Sequence, residues 1–228
     1  MVSPNKTKEM RATLSMTIWT LAGATFLPSF RSPPSGRSPY WFDPRIHSPG
    51  FGIPFGNVGW RGSLHAFFTP LATRIIDRTA YDGRDVRKEL VATYIGSNET
   101  SVDLCCGVGL STHSVGVDTS LQMLHVARRL ARGGDKVFWE GNSETWGVDK
   151  SVDVVTVFFA LHEMPAEGRR AVLANARRLA RNRVVVADIS PDYTPPESML
   201  PGEPYLFDYM ANVEAETREI FENDGKWS

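Results

Sequence analysis

The stretch Val102-Asp103-Leu104-Cys105-Cys106-Gly107-Val108-Gly109 decides the fold of this chain. It is a short apolar strand carrying one acid, and it runs straight into two glycines one residue apart. Nine residues past Gly109, Asp118 closes a second apolar run, Val115-Gly116-Val117. Glycines let a backbone come close to a ligand, because no Cβ stands in the way. A carboxylate at the tip of the next strand can accept hydrogen bonds from both hydroxyls of a ribose, and its charge strengthens them. Together these residues read as a nucleoside site at the carboxyl ends of parallel strands.

The elements on either side agree with that reading. Strands are predicted at 102–105, 115–117, 137–139, 152–161 and 183–189; the fourth is a nearly continuous apolar run, as a strand buried on both faces requires. Between them, 120–132 places Met123, Leu124, Ala127, Leu130 and Ala131 on one helical face, with Thr119 or Ser120 as cap. The stretch 165–181 repeats the spacing with Val172, Leu173, Ala176 and Leu179. Upstream, 63–79 and 84–95 read as helices, Pro70 kinking or dividing the first, and 205–221 reads as a last helix. Strands alternating with helices predict an α/β, Rossmann-like doubly wound fold, its mostly parallel sheet covered by helices on both faces.

The glycine loop also discriminates between cofactors. A dinucleotide fingerprint needs G-x-G-x-x-G with a helix N-terminus aimed at a pyrophosphate. Here Thr112 holds the third glycine position, and Asp103 stands where it would repel phosphate. A cationic nucleoside fits better. At this point the chain resembles the class I S-adenosylmethionine-dependent methyltransferases, whose first motif is roughly D-x-G-x-G-x-G. Cys105 stands at the first glycine, while Gly107 and Gly109 match.

The resemblance implies S-adenosylmethionine as cofactor, methyl transfer to an unidentified small-molecule acceptor, and a set of site residues. Asp103, Cys105, Gly107 and Gly109 form the first motif. Asp118 and Thr119, in Gly116-Val117-Asp118-Thr119-Ser120, stand where the family binds the ribose; an Asp before a helix is equally placed to cap it. Asn142 and Ser143, in Glu140-Gly141-Asn142-Ser143-Glu144, stand where the family often has Gly-Asp-Ala-Glu, its acid meeting the adenine amino group; Asn142 can still accept that bond, and an ordinary turn fits as well. In Phe158-Phe159-Ala160-Leu161-His162-Glu163-Met164-Pro165, Phe159 ends the strand beside the transferred methyl. His162 and Glu163 are the catalytic candidates, His162 as a general base, or else caps of the following helix. Asp188 could line the cleft or cap its loop. The segments Tyr40 to His47 and Gly202 to Tyr205 resemble parts of a branch of the family in which such stretches flank the cofactor domain, and they are expected over the acceptor site; Tyr193, Tyr205 and Tyr209 are lid candidates.

Bulk properties bound the rest. The 228 residues suit one domain with a sizeable core, and a formal net charge of −1 gives no nucleic-acid footprint. Cys105 and Cys106 are the only cysteines, so neither a disulfide framework nor a zinc spacing exists, and no metal is expected. Residues 1–62 hold seven Lys or Arg against two acids. Within them Lys6, Lys8 and Arg11 precede a charge-free run, 12–30, with Ala22-Gly23-Ala24 behind its apolar part. That order fits a secretory or organellar targeting segment, with a single membrane anchor as competitor and a cytoplasmic protein if the segment is inert. The division expected is 1–30 targeting or anchor, 31–62 linker, and 63–228 catalytic-type domain: a helical lead-in at 63–95, a cofactor-binding core at 101–190, and a loop and helix at 191–228.

Two features depart from the family. The nine-residue step from Gly109 to Asp118 cannot hold the crossover helix normally placed there, so strand two pairs differently or a helix is lost and apolar surface exposed. The usual last two strands are also missing, which predicts a five-stranded sheet with an unprotected edge. A non-catalytic binding or scaffold protein and a nicotinamide-dependent oxidoreductase therefore stand as alternative readings.

Overall fold

A computed structural model describes residues 16–20 (as backbone), 46 and 59–222. Five strands are parallel: β2 (Ser101–Leu104), β3 (Val115–Asp118), β4 (Val137–Glu140), β5 (Val152–Phe158) and β6 (Ala180–Ala187). A sixth, β1 (Met16–Thr20), runs antiparallel along β6, from Met16 opposite Ala187 to Thr20 opposite Arg183. The sheet order is β1-β6-β5-β2-β3-β4. The edge expected to be open at the fifth parallel strand is therefore occupied, and the expected five-stranded sheet has six. The rest of the expected targeting segment, and the linker 31–62 apart from Ile46 and 59–62, lie outside the described residues.

Five helices cover the sheet: α1 (Gly59–Ala80), α2 (Val86–Tyr94), α3 (Leu121–Leu130), α4 (Ala166–Leu179) and α5 (Leu206–Glu222). Helix α1 continues through Pro70 and is not divided there. Proline removes one backbone donor, and the remaining turns of a 22-residue helix carry it across. Strand β6 begins at Ala180, directly after α4, so this crossover ends without a loop.

Alternation along the strands sorts the two faces. Val102, Leu104, Val117, Val155 and Val157 point to one side, where they join Val172, Leu173 and Ala176 of α4 and Leu206 and Val213 of α5 in the main core. On the other side α2 packs Val86 and Leu90 onto Val154, Phe158, Val185 and Ala187. Farther along, α3 packs Leu124 and Ala127 onto Phe138 and Cys106. Buried Arg169 ties α4 to α5 through both carboxylate oxygens of Glu216, at 2.8 and 2.9 Å, and through Asp208 at 2.7 Å.

Between α2 and α3 lies the place of the missing crossover helix. Strand β3 pairs parallel beside β2, and residues 105–114 join them with no helix. The sheet side chains on that side are polar and buried, where apolar exposure was expected. Ser101, Asp103 and Thr156 face that way. The Asp103 carboxylate accepts hydrogen bonds from Ser111 Oγ at 2.9 Å, Thr112 Oγ1 at 2.8 Å and Thr156 Oγ1 at 2.8 Å. Burial pushes this carboxyl up, against the pull of the three hydroxyls. Two hydroxyls of the loop and one of β5 thus satisfy the strand acid, and the loop is fixed to the sheet.

Asp103→Ala should cost about 2–4 kcal/mol in a urea melt, because bonds to a charged acceptor vanish and buried hydroxyls lose it. A loss under about 0.5 kcal/mol would show that the loop is held by other contacts.

Candidate active site

A cavity of about 890 Å³ opens at the carboxyl ends of the parallel strands, with α1 along one side. Its floor is the loop after β2. Cys105 has φ +59°, the left-handed region that favours glycine, at the position where the resembled motif carries one. Its N–H donates to Ser143 Oγ at 3.0 Å, tying the loop after β2 to that after β4. Burial pushes the Cys105 thiol far up, which disfavours the thiolate.

Gly107, at φ +52°, donates its N–H to Asp118 Oδ2 at 2.8 Å, and Ser120 N–H donates to Asp118 Oδ1 at 2.8 Å. Asp118 thereby latches the glycine loop while it lines the cavity. It does not cap α3; Ser120 does, accepting from Met123 N–H at 3.3 Å. Burial, eased by the two backbone donors, pushes the Asp118 carboxyl up to about 6. Thr119, Asn142 and Ser143 line the same end. Asn142 Oδ1 accepts from Glu144 N–H at 2.9 Å, which holds the turn and leaves the carbonyl its second lone pair.

Asp103 and Gly109, both expected at the cofactor, do not line the cavity. Asp103 is enclosed by its three hydroxyls. Gly109, at φ +74°, is a packing glycine: a Cβ there would stand 2.6 Å from Phe138 Cε1.

At the other end, Phe159 has φ +54° in the cavity wall. Arg87 lies over its ring at 4.2 Å, and the Tyr81 ring stands 6.4 Å away. Arg87 pairs with Asp77 at 3.3 Å. Neither Tyr81 nor Arg87 belongs to a motif in the sequence; the fold brings them from the segment around α2.

His162 Nδ1 lies 2.5 Å from Asp188 Oδ1. Asp188 Oδ2 accepts from the N–H groups of Ala160 at 3.1 Å, Leu161 at 2.7 Å and His162 at 3.3 Å, so one carboxylate shapes the turn and aims the ring. His162 Nε2 lies 3.9 Å from Glu163 Oε1 and 3.8 Å from Glu203 Oε2. Burial would lower the imidazole pKa, but Asp188, Glu203 and Glu163 outweigh it and raise it to about 10. The expectation of a general base is corrected accordingly: near neutral pH His162 keeps its proton and serves as the cation among three carboxylates.

Glu203 brings the segment Gly202 to Tyr205 to the cavity. Ile46, the described residue of Tyr40 to His47, is buried in the same wall. Tyr193 lines the cavity, while Tyr205 and Tyr209 do not; Tyr209 donates to Ile189 O at 2.7 Å and meets the His162 ring edge-on at 6.2 Å. Buried Asn175 on α4, which the sequence reading missed, donates to Ser143 O at 2.8 Å and Trp146 O at 3.1 Å, bracing the loop after β4. Among the described residues no three His, Cys, Asp or Glu are grouped to hold a metal. No helix N-terminus follows the glycine loop, so the anion site that a pyrophosphate uses is not built here.

Residues 96–183 match a family model described as a methyltransferase domain. No curated protein sequence matches the chain. Among solved structures, a Pyrococcus horikoshii OT3 protein is 25% identical over 50% of this chain and 60% of its own length, with a TM-score of 0.42. A Thermotoga maritima S-adenosylmethionine-dependent methyltransferase, a possible histamine N-methyltransferase, shares the fold at TM-score 0.51. It is 14% identical over 69% of this chain and 78% of its own. Magnesium protoporphyrin IX methyltransferase of Synechocystis PCC 6803 is 19% identical over 75% of this chain and 74% of its own, at TM-score 0.43.

The His162–Asp188 pair has a pH signature. A histidine raised in the folded state contributes stability that is full below its unfolded pKa of about 6.5 and lost as pH rises through about 10. Stability should therefore fall between pH 6.5 and 10, and Asp188→Asn should flatten that slope. In an NMR titration the His162 ring should stay protonated at pH 8; a midpoint near 6.5 would break the assignment.

Proposed function

We propose that this chain, whose residues 96–183 match a methyltransferase-domain family model, is a class I S-adenosylmethionine-dependent enzyme that methylates a small-molecule acceptor held between α1 and the end of β5. One observation carries this reading. Asp118, latched to Gly107 N–H, lies on the same continuous cavity as the His162, Glu163 and Glu203 cluster. A nucleoside end and an ionisable end thus share one space, whose volume lies in the upper part of the usual range for ligand pockets, about 300–1,000 Å³.

The residues present fit S-adenosylmethionine. Asp118 would accept from the ribose hydroxyls, Asn142 and Thr119 would border the nucleoside, and Gly107 would allow its close approach. The cofactor supplies a methyl group already activated by a positive sulfonium. What remains for the protein is alignment, exclusion of water and disposal of one proton.

The chain's own groups divide those tasks. Phe159, strained into the left-handed region, holds a rigid wall, with Arg87 and Tyr81 behind it. His162, kept protonated, draws Glu163 and Glu203 toward its Nε2 and offsets their repulsion. The acceptor end then carries more carboxylate than cation, which favours a protonatable nitrogen on the acceptor. Glu163 is the group to take that nitrogen's proton at a carboxylate oxygen.

The test is transfer of labelled methyl from S-adenosylmethionine to a panel of amines, phenols and carboxylates, with amines expected as the acceptors. Label on phenols alone would overturn the acceptor assignment. Cofactor binding with no transfer to any acceptor class would leave a binding protein in place of an enzyme.

Asp118→Ala should weaken S-adenosylmethionine by about 10- to 100-fold, from the roughly 1.5–3 kcal/mol of bonds to a charged acceptor. Only the ionised carboxylate can accept from both hydroxyls. With its pKa raised to about 6, wild-type affinity should be level above pH 7 and decline below pH 6. Calorimetry over pH 5–8 checks both, and a flat profile would remove Asp118 from the site.

A further inference from the structure

We infer that α1 docks the protein on an anionic lipid surface through its outward side. The inference stands on a face of α1 that the methyl-transfer reading does not use. The side of α1 turned to the cavity is mostly small and polar, with one large apolar residue: His65, Thr69, Ala72, Thr73 and Ile76 line it. The opposite side carries Trp60, Leu64, Phe67, Phe68, Leu71 and Ile75, with exposures of 71, 40, 66, 46, 55 and 56%. At about 100° of turn per residue these six fall in one arc roughly 100° wide. The usual arrangement is reversed, because this helix keeps its polar side on the protein and its aromatic side in solvent. A contiguous exposed apolar stripe of this kind marks a docking surface.

Charge selects the occupant. Arg61 and Arg74 border the stripe on its two sides, and Arg78 stands at its end; all three are exposed, and none forms an ion pair among the described residues. The sole acid on the helix, Asp77, is buried and paired with Arg87. Two copies pairing antiparallel through the stripe would bring Arg61 against Arg74 and Arg78, like against like. The chain's own segment 21–58 is no better a complement, with Arg31, Arg37 and Arg45 against Asp43. A surface that is apolar within and anionic at its rim is what remains, and the headgroup and acyl boundary of an acidic bilayer has that composition. The arginine stems can lie along the apolar stripe while their heads reach phosphate. No described helix is long and apolar enough to cross a membrane, so α1 lies in the interface plane. Docked in this way, α1 separates the bilayer from the cavity behind it.

The test is flotation of the full chain with phosphatidylcholine vesicles, with and without about 30% phosphatidylserine. The protein should float with the acidic vesicles, weakly with the neutral ones, and less as salt rises. Phe67→Ser with Leu71→Ser should weaken binding by roughly tenfold or more, and Arg61→Ala with Arg74→Ala by about fivefold per charge removed. These side chains are exposed and outside the cavity, so S-adenosylmethionine affinity measured on the same variants should not change. Three results would overturn the inference: no flotation with acidic vesicles, flotation that the stripe variants leave intact, or a solution dimer that the stripe variants dissociate. Each of these can occur with methyl transfer intact, so the two readings fail separately.

Discussion

The structure depends on one buried carboxylate. Asp103 sits in the middle of the sheet, on the strand that leads into the ligand loop, and is enclosed by the hydroxyls of Ser111, Thr112 and Thr156. An unpaired carboxylate in that place would cost several kcal/mol, and three donors of the right geometry offset most of it. Two of the donors come from residues 105–114, which stand where a crossover helix would normally lie. The acid therefore makes the shortened connection workable. It holds the loop down, and the loop presents Cys105 and Gly107 to the cavity with φ values that only a fixed backbone would retain.

From that anchor the site is built by side chains that each serve two neighbours. Asp118 joins the ends of β2 and β3 by accepting from Gly107 and Ser120. Ser143 joins the ends of β2 and β4, and Asn175 braces Ser143 from α4. Asp188 does the same for the far end, gathering three backbone N–H groups and the His162 ring. Such cross-bracing keeps polar groups in place before any ligand arrives, as an aligning site requires. The same carboxylates shape the electrostatics: burial raises Asp118 toward neutrality, while Asp188, Glu163 and Glu203 keep His162 charged.

Most of the fold was legible in the sequence, because period and punctuation are local signals. The alternation of 102–105, 115–117 and 137–139 with a helix at 120–132 leaves a parallel sheet as the natural outcome, and Asp118, Thr119, Asn142 and Ser143 were placed by their positions after strands. The failures have physical causes. Asp103 was read from its motif position as a cofactor ligand, but its strand turns it inward, and the hydroxyls that claim it are eight, nine and 53 residues away. Gly109 was read as a ligand glycine, yet the contact that demands it is Phe138, two strands across. His162 was read as a base because a free histidine titrates near neutrality; Asp188 and Glu203, from distant loops, reverse that. Tyr81 and Arg87 carry no local pattern at all, and β1 at the sheet edge lay within a stretch that reads as a targeting segment.

The central claim is that Asp118 and the latched glycine loop form a site for a cationic nucleoside, one that takes S-adenosylmethionine and not a pyrophosphate. Calorimetric titration of the full chain with S-adenosylmethionine, beside NAD at the same concentrations, tests it most directly. The account predicts micromolar binding of S-adenosylmethionine and none of NAD, since no helix N-terminus receives a diphosphate. Tighter binding of NAD, or no binding of S-adenosylmethionine by a chain shown to be folded, would contradict it.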